Sequence, residues 1–217
     1  MATWRQIPGA LKQISVGSAG LIWGVNSTDQ IFQYTGEGNW THISGALKNV
    51  SVAADGTVFG VNAGDQIFRY LGNNNWRQIS GALKQISVGS AGLIWGVNST
   101  DQIFQYTGEN QWTQIAGALK WVSVAKDGTV FGVNAGDQIF RYLGNNNWRQ
   151  ISGALKQISV GSAGLIWGVN SADQIFRYTG ENQWSQVSGA LKNVSVAEDG
   201  TVFGVNAGDQ IFRLLSI

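Results

Sequence analysis

Along the chain, short apolar runs alternate with clusters of Gly, Asn, Asp and Ser. Leu11–Val16 (LKQISV), Leu21–Asn26 (LIWGVN), Gln30–Tyr34 (QIFQY) and Trp40–Ile43 (WTHI) are rich in β-branched and aromatic residues. That composition, bounded by turn residues, predicts strands. No segment sustains helical periodicity before the next turn signal, so no helix is predicted. Alternation within the runs is imperfect, which suits strands buried on both faces.

The group of four runs then recurs. Trp4, Trp40, Trp76, Trp112, Trp148 and Trp184 lie 36 residues apart and mark six units. The shared frame is W-x-x-[IV]-x-G-A-L-K-x-[IV]-S-V-x-x-x-G-x-[IV]-[WF]-G-V-N-x-x-D-Q-I-F. A period of 72 lies on top: odd units read GSAGLIWGVNS and even units A-x-DGTVFGVNAG. Four strands per unit, repeated this way, predict an all-β, six-bladed β-propeller with four antiparallel strands per blade, spanning 1–217 as one domain. A β-helix has shorter coils and a weaker four-strand rhythm.

The chain opens with what is elsewhere a fourth strand, Thr3–Ile7, and closes after a third, Gln210–Leu214. Pairing of the two would close the ring and remove open edges. The last unit also carries Leu214 where the others carry Tyr34, Tyr70, Tyr106, Tyr142 and Tyr178. The last blade is therefore predicted to draw on both chain ends.

Composition narrows the chemistry. There is no Cys, a single His and a net charge of +1. A disulfide framework and a Cys-based zinc site are excluded. The near-zero charge argues against a nucleic-acid partner. No apolar run is long enough to cross a membrane as a helix, so membrane insertion is not expected. The opening Met1-Ala2-Thr3-Trp4-Arg5-Gln6 has no apolar signal segment, and a cytoplasmic protein is the expectation. There are five matches to the glycosylation sequon, such as Asn26-Ser27-Thr28; several fall in strands or tight turns, and they read as coincidence.

In a propeller the second–third loop and the link to the next blade share one face. Three polar sets recur there: Asn26, Asn62, Asn98, Asn134, Asn170 and Asn206; Asp29, Asp65, Asp101, Asp137, Asp173 and Asp209; and Lys12, Lys48, Lys84, Lys120, Lys156 and Lys192. A carboxylate, an amide and a cation can together chelate vicinal hydroxyls, and the neighbouring Gly-Ala-Leu could seat a methyl group. Alternatively, Asn and Asp bond their own turn backbone and Lys pairs with Asp between blades. Asn73-Asn74-Asn75 on the opposite face reads as turn chemistry. The six Trp of the frame read as inter-blade packing, and the exchange of Trp23, Trp95 and Trp167 with Phe59, Phe131 and Phe203 as core volume adjustment. Trp121 breaks the pattern, as a hub filler or an oligomer contact.

Catalysis finds little support. His42 occurs in one unit and reads as an exposed strand residue; no Ser-His-Asp set forms around it. One recurring carboxylate per unit is thin for an acid/base pair or a metal. No catalytic residue, metal or cofactor is expected.

The string G-A-L-K-x-I-S-V-G followed by I-W-G-V-N-x-x-D-Q-I-F-x-Y, as in Leu11–Tyr34, resembles the tectonin repeat, over about 25 of each 36 positions. The internal identity is most similar to the mushroom tectonin 2 type. The resemblance implies a β-propeller lectin that binds bacterial or nematode surface glycans in innate defence. It implies O-methylated sugars, methyl-fucose or methyl-mannose, or a cell-surface polysaccharide as the partner. A homo-oligomer stays open. The other class is a structural or consensus-designed scaffold without a sugar site. Calorimetric titration with a methylated sugar separates the two.

Overall fold

The structure, a computed structural model, describes residues 1–217 and is a closed ring of six four-stranded antiparallel sheets without helices. β1 (Thr3–Ala10) precedes blade 1, formed by β2 (Gln13–Ser18), β3 (Leu21–Val25), β4 (Gln30–Gly36) and β5 (Asn39–Ala46) from hub to rim. Blade 2 is β6 (Asn49–Val52), β7 (Val58–Val61), β8 (Gln66–Gly72) and β9 (Asn75–Ala82). β10–β21, from Gln85 to Ala190, repeat these patterns as blades 3, 4 and 5. Blade 6 is β22 (Asn193–Val196), β23 (Val202–Val205) and β24 (Gln210–Ser216), and its fourth strand is β1. Trp4 faces Leu214 and Gln6 faces Phe212 across that pairing. The head of the chain thus supplies the missing edge of its tail.

Strand boundaries shift by one to three residues from the sequence reading, and two of the shifts matter for the site. The inner strand starts at Gln13, so Leu11 and Lys12 belong to the link. The outer strand runs on through Ser44-Gly45-Ala46. Its partners jump from Ile31↔Ile43 to Gln30↔Ala46, a bulge that inserts extra residues on one side. The turn cluster S-G-A therefore bends a strand instead of ending it.

The core is divided among the blade interfaces. Trp23, Val25, Ile31 and Ile43 of blade 1 pack with Val50, Val52 and Val58 of blade 2, and five similar clusters complete the circle. The second strand approaches the preceding link so closely that a Cβ at Gly60 would meet Leu47 Cδ1 at 2.3 Å. This accounts for the Gly in the [WF]-G-V frame. Trp23 and Phe203 are buried, as the volume reading expects.

At the hub, each innermost strand has one unpaired edge. Buried backbone groups there need partners, and side chains of the preceding blade provide them. Ser15 Oγ accepts the Val52 N–H at 3.0 Å. Gln13 Oε1 accepts the Val50 N–H at 3.0 Å, and its Nε2 donates to the carbonyls of Val50 and Ile14 at 3.0 and 3.1 Å. Asn49 Oδ1 accepts the Ile86 N–H at 3.0 Å. The x-[IV]-S-V frame is thus a set of edge caps. Trp121 donates its indole N–H to the Ile158 carbonyl at 3.0 Å but, as a donor only, gives the Ile158 N–H nothing.

Candidate functional site

The Asn of each V-N-x-x-D-Q turn is folded onto its own backbone. Asn26 Oδ1 accepts the Thr28 and Gln30 N–H groups at 3.1 and 2.8 Å, and Nδ2 donates to Gln30 Oε1 at 2.8 Å. Asn62 does the same with Gly64 and Gln66. These are Asx-type bonds, and they leave one Nδ2 proton unspent. Asp29 follows at a φ of 66°, a left-handed conformation that Asp tolerates. Its carbonyl accepts the Leu47 N–H at 2.9 Å, which ties the turn of one blade to the link of the next.

Lysine and aspartate pair within a blade and not between blades, contrary to the alternative above. Lys12 bonds Asp29, Lys48 bonds Asp65, and the remaining four pairs follow the same spacing. Both partners are about one quarter exposed, and such pairs contribute up to ~1 kcal/mol each. Asp137 is held below the ordinary carboxylate range by the bond from Lys120; burial opposes this, and the Ser171 hydroxyl at 3.1 Å reinforces it.

The three recurring sets therefore part company. The six lysines line the hub mouth, with Gln13, Asn49 and Trp121 beneath them. Each aspartate is engaged by its lysine. Two of the asparagines, Asn62 and Asn206, face a different place, a cleft between neighbouring blades. Between blades 1 and 2 this cleft has a volume of about 270 Å³ and is lined by Ile31, Gly45, Ala46, Leu47, Asn62, Phe68 and Trp76. Its counterpart between blades 5 and 6 has about 170 Å³ and is lined by Trp4, Ile175, Gly189, Ala190, Leu191, Asn206 and Phe212.

The cleft wall is assembled across the interface. Trp76 Nε1 donates to the Ser44 carbonyl of blade 1 at 2.8 Å, and the other frame tryptophans make the same bond, Trp4 to Ser188 included. The bond fixes the indole beside the Gly45 bulge. A Cβ at Gly45 would lie 3.3 Å from Ile31 Cδ1 and 3.4 Å from Trp76 Nε1, at a φ of 121°. Glycine thus keeps the floor open. The tryptophans do pack between blades, as expected, but Trp76, Phe68 and Ile31 also line the cleft, which the sequence reading missed. The signal was present: Gly-Ala-Leu, Asn and Trp share one frame in every unit.

On the opposite face, Asn73 and Asn74 adopt φ values of 51° and 60°, the two positive angles of a tight hairpin turn. Asn74 Oδ1 also accepts the Ser44 N–H of blade 1 at 3.0 Å. His42 is exposed on β5, edge-on to Phe32. No group of three His, Cys, Asp or Glu side chains comes together as a metal site would require.

Fold and cleft together define a symmetric propeller with small apolar clefts at two equivalent blade interfaces, between blades 1 and 2 and between blades 5 and 6. The Tectonin domain family matches the chain over residues 1–146 and 137–217, and the protein belongs to that family. Curated protein sequences give no significant match. Among solved structures, a gluconolactonase from Xanthomonas campestris is similar at 10% identity and TM-score 0.79, covering 100% of this chain and 90% of its own. A virginiamycin B lyase from Staphylococcus aureus is similar at 17% identity and TM-score 0.70, covering 94% and 80%. YCF48 from Cyanidioschyzon merolae is similar at 12% identity and TM-score 0.65, covering 97% and 98%. At these identities the likeness is one of fold.

Proposed function

We propose that the protein is a non-catalytic, multivalent lectin whose sugar sites are the inter-blade clefts. Membership of the Tectonin family supports a lectin-type role. The observation that carries the site is the cleft itself: Trp76 and Phe68 wall an apolar space floored by Gly45-Ala46-Leu47, with the Asn62 amide at its edge. An aromatic wall accepts the C–H face of a pyranose, and the free Nδ2 proton orients a hydroxyl or ether oxygen. The volume lies just below the ~300 Å³ at which small-molecule pockets begin, which fits one monosaccharide. The apolar floor favours an O-methylated sugar, methyl-fucose or methyl-mannose, over its hydroxyl parent. Burying one methyl contributes ~0.8 kcal/mol, or about fourfold in affinity.

In this reading Asn26 and its five copies touch the ligand. The Asp29 and Lys12 sets brace the turn that presents them. Repetition of a weak site on a rigid ring raises avidity for a glycan-bearing surface through effective concentration, which suits recognition of bacteria or nematodes by a cytoplasmic defence protein. Titration calorimetry with a methyl-fucoside and with fucose tests the proposal. The expected result is several equivalent sites and a preference of about fourfold for the methylated sugar. A broad glycan array and calorimetry without binding would refute it, and would favour a scaffold without a sugar site.

A further inference from the structure

We infer that the hub is a binding site for a small monatomic anion of the halide class. Ser15 and its five counterparts, Ser51 to Ser195, are each nine-tenths or more buried and line the central channel. Every one of these Oγ atoms accepts a backbone N–H of the next blade. No protein acceptor takes the hydroxyl proton of any of them. Asn49 and Asn193, 5% and 6% exposed, spend their Oδ1 on the next blade and leave Nδ2 unpartnered. Opposite Trp121, the Ile158 N–H has no side-chain acceptor. The glutamines add nothing, since both Nε2 protons of Gln13 are engaged.

The unspent hydrogen-bonding protons of the hub therefore converge from six sides. The channel segment they line has about 40 Å³, enough for about three water-sized species. No carboxylate lines it. The mouth above is ringed by the six lysines, while their aspartates stand outside the lining. Converging O–H and N–H donors stabilise an anion, and of each Lys–Asp ion pair at the mouth it is the ammonium side that lines the channel.

Crystals grown in sodium bromide, with diffraction recorded at the bromine edge, test the assignment. The expected result is an anomalous peak on the axis, within hydrogen-bonding reach of the serine hydroxyls. Axial density without anomalous signal, meaning water alone, overturns it. In solution, the Tm should rise by roughly 3–5 °C per tenfold increase in chloride once the site is saturated, relative to sodium gluconate at equal ionic strength. The Asn49→Asp, Asn193→Asp variant keeps the acceptor for the Ile86 and Ile14 N–H groups but sets negative charge at the hub, and should lose that halide-specific rise. An unchanged rise in the variant refutes the site. If the variant does not fold, the bromide map of the native protein decides alone.

Discussion

Gly45→Ala tests the cleft and the backbone argument in one variant. Gly45 sits at a φ of 121°, outside the small left-handed region open to L-residues. Holding Ala there costs ~1–3 kcal/mol. The new Cβ would also press on Ile31 Cδ1 and Trp76 Nε1 at 3.3 and 3.4 Å, and Trp76 cannot retreat without breaking its 2.8 Å bond to the Ser44 carbonyl. Taking about 2 kcal/mol in all, a chain of this size loses roughly 4–8 °C in Tm. The other interfaces do not share these atoms, so the ring should stay folded. The methyl intrudes on one cleft only, so calorimetry with a methyl-fucoside should show one site fewer than the native protein. A lower Tm with an unchanged number of sites would place the sugar elsewhere. An unchanged Tm would mean that the bulge does not need glycine.

Four further outcomes are expected. Burial would raise the carboxyl of Asp55, but N–H bonds from Thr57 and Ala91 outweigh it and hold it below the ordinary value of 3.8, as equivalent bonds do at Asp127 and Asp199; their contribution is full above that value and lost as pH falls through the lower folded values, so Tm should drop across the acid range, and less so in a variant with all three changed to Ala. Ser87→Ala removes the acceptor of the Val124 N–H and should cost ~1–3 kcal/mol in urea unfolding, with no effect on sugar affinity. Trp167 Nε1 and Arg177 Nε are buried without partners, so Arg177→Gln, which removes the stranded guanidinium nitrogen and places the residue that stands opposite Trp23 and Trp95 in register, should raise the Tm by about 2–4 °C. Deleting residues 1–10 strips β24 of its partner and Trp4 from its cleft; light scattering should detect association, because an open edge strand recruits others.

The ring could be read from the sequence because the spacing of Trp4, Trp40 and their copies is a global signal, and because the chain starts on a fourth strand. The site was less accessible. Asn, Asp and Lys recur with equal regularity, and recurrence alone does not separate a turn brace from a ligand contact. Asn62 reaches the cleft because its turn and Trp76 lie on the side of blade 2 that faces the Gly45 bulge of blade 1, whereas Lys48 points to the hub mouth one residue before the inner strand begins. Trp76 was legible as packing but not as lining, since both roles demand the same residue at the same place. The boundary at Ser44-Gly45-Ala46 was misread because a bulge uses the residues of a turn.

The doubled period has a physical origin in how neighbouring blades serve one another. One Gln in an odd blade satisfies two carbonyls, its own successor's and that of the even blade after it. The even blade then needs only an acceptor for the next N–H, and the shorter Asn suffices. On the opposite face the dependence runs from even blades to odd: Asp55 Oδ2 accepts the Ala91 N–H of the following odd blade at 2.8 Å, and Asp127 and Asp199 do likewise with Ala163 and Ala19. In the second and third strands, Trp23 opposes Gln33 whereas Phe59 opposes Arg69, whose guanidinium lies 5.9 Å from the Phe ring. Each odd feature is thus completed by an even one, and a ring of odd blades alone would lack the aspartate clasp. Blade 5 combines the odd Trp167 with the even Arg177, and these are the two side chains left with an unpartnered buried nitrogen. The unit that must be copied intact is therefore the pair of blades, and a substitution that mixes the two types should destabilise even where each residue is native to the ring.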